Sequence, residues 1–278
     1  MPLKRIESDA KELEGDGVVV LIDGDIILYQ ATFVCDVVNY HWPQHEPIHY
    51  KKDALTYGRE HGLDPDDLIK TVTPEPIENC LHTIKHMIHS IMDACKADTA
   101  RVFLTGSGNY REELATIAPY KGNRTQEKPT HFQAAKVYLI ERFNAEVVDG
   151  IEADDALGYL QTDKTIIASL DKDLDQIKGQ HYNWTKEELY NVLEDDADAF
   201  LYQQILTGDS TDNIKGIKGV GEKTARKLLE GCSNNYERYC ACVDAYKDAN
   251  QESWELVETA HLVYIQREEG VLWKVPTL

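Results

Sequence analysis

The chain has 278 residues, with 49 Asp and Glu against 29 Lys and Arg and a formal net charge of −20. That balance excludes a general nucleic-acid coat, which neutralises phosphates with many cations, but it leaves room for an enzyme carrying a few well-placed ones. The length suffices for one large core or a large and a small one, and no run approaches the ~20 apolar residues that span a bilayer.

Residues 1–16 are charged and aperiodic, which predicts a loosely docked leader and no signal peptide. The six cysteines, at 35, 80, 95, 232, 240 and 242, include no Cys-x-x-Cys pair. They read as reduced thiols of a cytoplasmic protein. Val18 to Ile22 is an unbroken apolar run and predicts a buried strand, followed at once by Asp23-Gly24-Asp25. A plain turn has the same composition, but in an open parallel sheet ligands collect just outside the carboxyl ends of strands.

Residues 36–76 are punctuated by five prolines and predict irregular structure with one short helix near 52–61. From Pro76 to Cys95 the stripe of Ile77, Leu81, Ile84, Ile88, Ile91 and Met92 predicts a helix. His82, His86 and His89 fall on its other side, where a solvated face explains the spacing better than a zinc site does. Arg101 to Leu104 predicts a further strand. After it come Arg111, Tyr120, Lys121, Arg124 and Lys128, a group of cations with an aromatic that suits phosphate contact and base stacking. A helix capped by Thr130 is expected to Asn144, then a strand over Ala145 to Asp149.

The stretch from Ile151 to Asp173 has the densest chemistry. Glu152, Asp154 and Asp155 open an amphipathic helix, and Thr165 to Leu170 reads as a buried strand with Asp171 and Asp173 just past its end. In an extended chain those two carboxylates would point the same way, as would Asp23 and Asp25. Gathered at one sheet edge, such groups require cations, and all-oxygen ligands suit Mg²⁺ or Mn²⁺. The acidic runs at 64–67 and 194–198 read instead as solvated turn or helix-start charge. Strands alternate with helices to about residue 183, which indicates an α/β domain with a mainly parallel sheet flanked by helices.

Beyond Glu194 the pattern becomes helical. A helix over Ala197 to Leu206 precedes Gly208-Asp209-Ser210-Thr211-Asp212-Asn213, then a turn with Gly216, Gly219 and Gly221 before a helix from about Lys223. Bare glycine backbone ahead of a helix N-terminus can approach phosphate, and Lys215, Lys218, Lys223, Arg226 and Lys227 supply charge, with Thr224 beside them. Neither a Walker loop nor a dinucleotide fingerprint fits the spacing. Residues 232–278 predict helices closing this smaller unit.

Taken together, these blocks resemble the 5′ nuclease family: flap endonucleases, the 5′ nuclease domain of DNA polymerase I and, nearest in pattern, phage 5′→3′ exonucleases. The resemblance runs from Val18 to Leu229 and rests on Asp23, on Tyr120-Lys121-Gly122-Asn123-Arg124, on Glu152-Ala153-Asp154-Asp155, on Ser169-Leu170-Asp171-Lys172-Asp173 and on Gly208 to Ile214 with the glycine hairpin. It implies a PIN-like α/β nuclease core over 1–194, with an arch segment at 106–130, and a helical helix–hairpin–helix domain over 195–278. It also implies two divalent ions, Mg²⁺ or Mn²⁺, at Asp23, Glu152, Asp154, Asp155, Asp171, Asp173 and Asp212, with Asp209 in support. Lys121 and Arg124 would engage the scissile phosphate and Tyr120 would stack on a base.

Arg111 and Lys128 in the arch, and the 215–226 hairpin, would contact DNA, with K⁺ at the hairpin. The implied substrates are DNA 5′ ends, flaps and nicks, with RNA–DNA hybrid as a further one. The implied protein is a monomer in the cytoplasm (the host's, if phage-encoded), with replication proteins as candidate partners. A DNA-structure-binding protein of the same fold with weak or no nuclease activity is the alternative. One departure motivates it: where the family carries Asp after the strand at 101–104, this chain has Thr105-Gly106-Ser107. The deficit would fall on one ion, with Asp25 or water making it good.

Overall fold

The computed structural model describes residues 17–277; the expectation for the leader lies outside them. The elements are β1 (Val19–Asp23), α1 (Gly24–Val34), β2 (Asp36–His41), α2 (Lys51–His61), β3 (Ile69–Pro74), α3 (Ile77–Cys95), β4 (Thr99–Asn109), α4 (Tyr110–Leu114), α5 (Phe132–Phe143), β5 (Glu146–Gly150), α6 (Ala153–Leu160) and β6 (Thr165–Ala168). They continue with β7 (Gly179–Asn183), β8 (Glu188–Val192), α7 (Glu194–Thr207), β9 (Gly208–Asp209), β10 (Ile214–Lys215), α8 (Glu222–Leu228), α9 (Asn235–Asp248) and α10 (Ser253–Val263).

The main sheet runs β5-β4-β1-β6-β7-β8, parallel throughout except for the antiparallel β7–β8 pair. Its core follows from side-chain alternation along β1. Val20 and Ile22 face one way, into a cluster with Ile27, Leu28, Ile84, Ile88 and Leu139 of α1, α3 and α5. Leu21 faces the other way and packs with Phe103, Ile167, Ala156 and Leu157, so α6 covers that face. Fully burying one such Leu or Ile contributes about 1.5–3 kcal/mol, which is what holds the strand apart from solvent on both sides. Because β1 lies between β4 and β6, the chain leaves it in both directions across the sheet, and the crevice at such a switch point opens over the carboxyl ends of these strands.

Three local expectations are corrected. Residues 36–76 are not mainly irregular: β2 and β3 pair antiparallel across six residue pairs, Asp36 with Pro74 through His41 with Ile69, around the expected helix, α2. No apolar alternation marks these strands because every residue of β3 is exposed. Thr130 does not cap α5; its N–H donates to Asp36 Oδ2 at 2.9 Å, and α5 begins at Phe132 after an uncapped turn. The strand after Arg101 runs on to Asn109, so Gly106 lies within β4 beside β5, with a register shift between Thr105 and Asn109.

From Glu194 to Val263 the chain is mainly helical, with the two-residue β9–β10 pair among the connections. Residues 264–277 follow without helix or strand, so the helices expected over 232–278 stop at Val263. Helices α7, α9 and α10 share a core of Ile205, Leu206, Cys242, Tyr246, Leu256 and Ala260. Leu114, Ala115 and Tyr120 pack against that same core. No helix among the described residues is long and apolar enough to cross a membrane.

Candidate active site: an acidic cleft at the switch point

Asp23 ends β1 and caps α1, its Oδ1 accepting from the Ile26 N–H at 3.1 Å and its Oδ2 from Ser169 Oγ at 2.7 Å. On the adjacent strand's exit, Asp171 Oδ1 accepts from the Asp173 N–H at 2.9 Å and caps a 3₁₀ turn over Lys172–Gln176. The two pairs thus share one geometry, as their spacing suggested, but the chain between their members is a helix start rather than extended strand. Asp25 Oδ2 accepts from the Thr105 N–H at 3.0 Å, which ties α1 to β4. Asp173 Oδ1 accepts from the Gln204 side-chain amide at 2.8 Å, which brings in α7. Asp154 sits in the first turn of α6, where Asp23, Asp171 and Glu152 act on it electrostatically.

The segment between α4 and α5 closes the cleft from above. Tyr120 Oη lies 3.0 Å from both Glu152 Oε2 and Asp212 Oδ2, able to donate to one at a time. The Lys121 ammonium pairs with Glu152 and stands 3.6 Å from Asp212 Oδ2, while Arg124 Nη2 donates to Asp212 Oδ1 at 2.5 Å. Backbone reinforces the link: the Lys121 N–H donates to the Asp212 carbonyl at 2.8 Å. Glu152 and Asp212 are therefore neutralised by local cations. Asp209 stands half-buried nearby, its Oδ1 accepting from the Thr211 N–H at 2.7 Å.

The remaining carboxylates are crowded without a partner of opposite charge. Burial, aided by the neighbouring charge of Asp25, raises Asp23 to about 7; burial and then Asp171 and Asp209 raise Asp173 to about 7. Burial also raises Asp25 and Asp171, and raises Asp154 well above the ordinary range, with Asp23 and Asp171 adding to it. A hard divalent cation fits this donor set, because oxygen ligands and surplus negative charge are what Mg²⁺ and Mn²⁺ select. Among the described residues, no three His, Cys, Asp or Glu side chains already stand placed to grip an ion. Side-chain adjustment, including release of Lys121 from Glu152, is thus part of any loading.

A pH signature follows. Raised carboxylates hold protons in the folded state that the unfolded chain has lost, so between about pH 4 and pH 7 folding stability falls as pH rises. Divalent cation should replace those protons and cancel the penalty. Thermal unfolding without metal should show a lower Tm at pH 8 than at pH 5.5, and Mg²⁺ should raise Tm more at pH 8. Equal Mg²⁺ shifts at both pH values would argue against ion binding by these carboxylates.

Two expected site residues are buried as a pair, although Arg111 still borders the inner end of the cleft. Asp155 is fully buried and Arg111 is 3% exposed, and they form a two-armed ion pair at 2.7 and 2.9 Å. Asp155 also accepts from the N–H groups of Glu152 and Gln266, and Arg111 donates to the carbonyls of Leu262 and Tyr264. With its oxygens so engaged, Asp155 is not available to an ion, and Arg111 has no face toward DNA. Together they fix α4 and α6 to the end of α10.

Gly106 borders the cleft, but an added Cβ would overlap Asp149 Oδ1 and lie 2.6 Å from the Val148 carbonyl oxygen of β5. The absent side chain is therefore explained by strand packing. Asp149 fills the space and accepts from both the N–H and the Oγ of Ser107. Gly106→Asp should then destabilise by about 1–3 kcal/mol, and Gly106→Ala similarly, without lowering the Mg²⁺ concentration for half-maximal effect. A stable Gly106→Asp protein with tighter Mg²⁺ dependence would restore the missing-ligand explanation.

At the glycine hairpin, Gly216 is packed against the backbone of Leu206, Thr207 and Gly208, where a side chain has no room. Gly219, Gly221, Lys218, Lys223 and Thr224 are exposed ahead of and within α8. Lys215 Nζ donates to Asn213 Oδ1, and Arg226 Nε to Gln203 Oε1. Lys128 lies with its ammonium 4.7 Å over the Phe132 ring at the mouth of the cleft.

Sequence reading passed over Asn109, whose amide donates to Glu152 Oε1 at 2.9 Å, and Lys136, whose ammonium donates to the Thr105 carbonyl and lines the cleft. Neither stands out in composition or spacing. Only the pairing of β4 with its neighbours locates them.

No family model matches the chain. By sequence it is 31% identical over 169 residues to a 5′-3′ exonuclease of Bacillus subtilis, covering 52% of this chain and 56% of that one. It is 29% identical over 203 residues to DNA polymerase I of Caldicellulosiruptor bescii, covering 64% of this chain and 24% of the polymerase. The aligned part thus spans about a quarter to just over half of these relatives' length. The fold matches a crystal structure of the bacteriophage T5 flap endonuclease solved with DNA and metal ions, at a TM-score of 0.59 and 16% identity over 88% of each chain. The sequence relatives thus liken the chain to 5′ nucleases, and the T5 structure shows that it has their fold.

Proposed function

We propose that the chain is a divalent-metal-dependent nuclease that hydrolyses DNA phosphodiesters near 5′ ends, as a 5′→3′ exonuclease and flap endonuclease of phage-type replication or recombination. The observation that carries this reading is the crowding of unpaired carboxylates from β1, α1, α6 and the 171–173 turn beneath Tyr120, Lys121 and Arg124. Asp23, Glu152, Asp154, Asp171, Asp173 and Asp212 would hold two ions, with Asp25 and Asp209 in support. When bound, such ions activate water and stabilise charge on the attacking and leaving oxygens. Lys121 and Arg124 exchange their present carboxylate partners for a phosphate, and the half-buried Tyr120 ring beside them is the surface for base stacking.

In this reading residues 1–194 form the nuclease core and 195–278 the duplex grip. Lys215, Lys218, Lys223, Thr224 and Arg226 meet backbone phosphates around a helix–hairpin–helix that also takes K⁺. RNA–DNA hybrid is a second substrate of the same cleft, and replication proteins are its working partners. The test is cleavage of a 5′-labelled flap with Mg²⁺, Mn²⁺ or EDTA. Metal-dependent release of short 5′ products supports the reading. Tight flap binding without release in either metal would favour the alternative, a DNA-structure-binding protein of the same fold.

A further inference from the structure

A second groove, about 880 Å³ in volume, lies between the β2–β3 pair, the end of α1 and residues 125–130. It is continuous with the acidic cleft, because Phe33, Val34 and Lys128 border both. Its position in the fold is set by the segment over 36–76 that none of the acidic chemistry uses.

We propose that this groove carries single-stranded DNA, the unpaired 5′ arm leaving the cleft. The inference rests on the nuclease reading above and extends it to a path for the arm. Grooves that hold single strands combine stacking platforms with cations along the backbone. Here aromatics run in file. Phe132 and Tyr29 have ring centroids 4.9 Å apart, and Tyr29 and Phe33 stack at 5.8 Å, leading from the cleft to the groove. Beyond them Tyr50 is 65% exposed, a large ring left open to solvent where a base can cover it.

Charge agrees. Lys51, Lys70 and Lys128 line the groove against Asp36 and Glu127, a net positive patch on a chain of net −20. Asp36 does not oppose a strand as a free anion would. Its Oδ2 is held by the Thr130 N–H, and its Oδ1 is buried away from the open groove. The exposed apolar side chains Val34 and Val72 complete the floor for base faces.

The test uses Tyr50→Ala/Lys51→Gln/Lys70→Gln, three exposed positions outside the acidic cleft, with thermal unfolding as the check on folding. Fluorescence anisotropy with a labelled oligo(dT) of about 15 nucleotides reads the groove directly. The triple variant should bind about tenfold more weakly or worse, and the slope of log Kd against log salt should shrink by about 0.7 for each lysine lost. In parallel, KM should rise for a duplex with a long 5′ arm and stay unchanged for a nicked duplex without one. A wild-type Kd and salt slope in a folded triple variant overturns the proposal, as does failure of the wild-type protein to bind the oligonucleotide. If wild type cleaves neither duplex, the nuclease reading fails, and the anisotropy result still decides the groove.

Discussion

Asp171→Asn should cut flap cleavage by roughly 10²–10³-fold or more while unfolding no more easily than wild type. The asparagine keeps a side-chain oxygen where Asp171 Oδ1 accepts from the Asp173 N–H, so the cap on the 3₁₀ turn survives. It removes one negative charge from a set in which Asp171 contributes to the raised pKa values of Asp23, Asp154 and Asp173. Without metal that removal relieves repulsion. With metal it removes a ligand charge where the reaction needs it. The same split is expected of Asp154→Asn. Initial rates on a 5′-labelled flap, beside melting curves in EDTA, check it, and a wild-type rate for either variant would take that carboxylate out of the site.

Asp155→Asn should behave in the opposite way, although the residue is a sequence neighbour of Asp154. It leaves the buried Arg111 guanidinium without its counter-charge, and breaking one partner of a buried pair costs about 3–5 kcal/mol. Some acceptors remain for Arg111, the carbonyls of Leu262 and Tyr264, but carbonyls carry no full charge. Denaturant unfolding should show the loss at near-constant m value. At low temperature, the fraction still folded should cleave within about tenfold of wild type, since a residue outside the metal shell affects the rate only by shifting its neighbours. A variant as stable as wild type but inactive would return Asp155 to the list of ligands.

The contrast between positions 154 and 155 shows where the sequence stopped being informative. Both follow a glutamate at a helix start, and charge pattern alone gives them equal claim to an ion. What separates them is rotation about α6: Asp155 is turned inward to a partner 44 residues earlier in the chain. A buried arginine on a short helix, followed by two glutamates, has nothing in its local sequence to distinguish it from a surface cation.

The strand-end aspartates were legible because an apolar run followed immediately by charge constrains both burial and exit. Asp23 and Asp171 therefore came together once β1 and β6 paired. The β2–β3 pair was illegible for the converse reason: its strands cover no core, so their side chains need no alternation. In the sequence Gly106 shows only as an absent carboxylate, and it takes the neighbouring strand's Val148 and Asp149 to show that no side chain has room there.

The tie between Arg111 and the carbonyls of residues 262 and 264 has a consequence for the order in which the protein is made. During synthesis the strands and helices through α6 emerge first, with the Arg111–Asp155 pair lacking the partners that lie 151 and 153 residues downstream of the arginine. Asp212, which Lys121 and Arg124 grip, also arrives late. Domains of a nascent chain fold as they appear, amino-terminal part first. The cleft is assembled from both ends of that sequence, so the ribosome must deliver α10 before Arg111 and the segment carrying Tyr120 are seated, and a half-made chain lacks the completed centre.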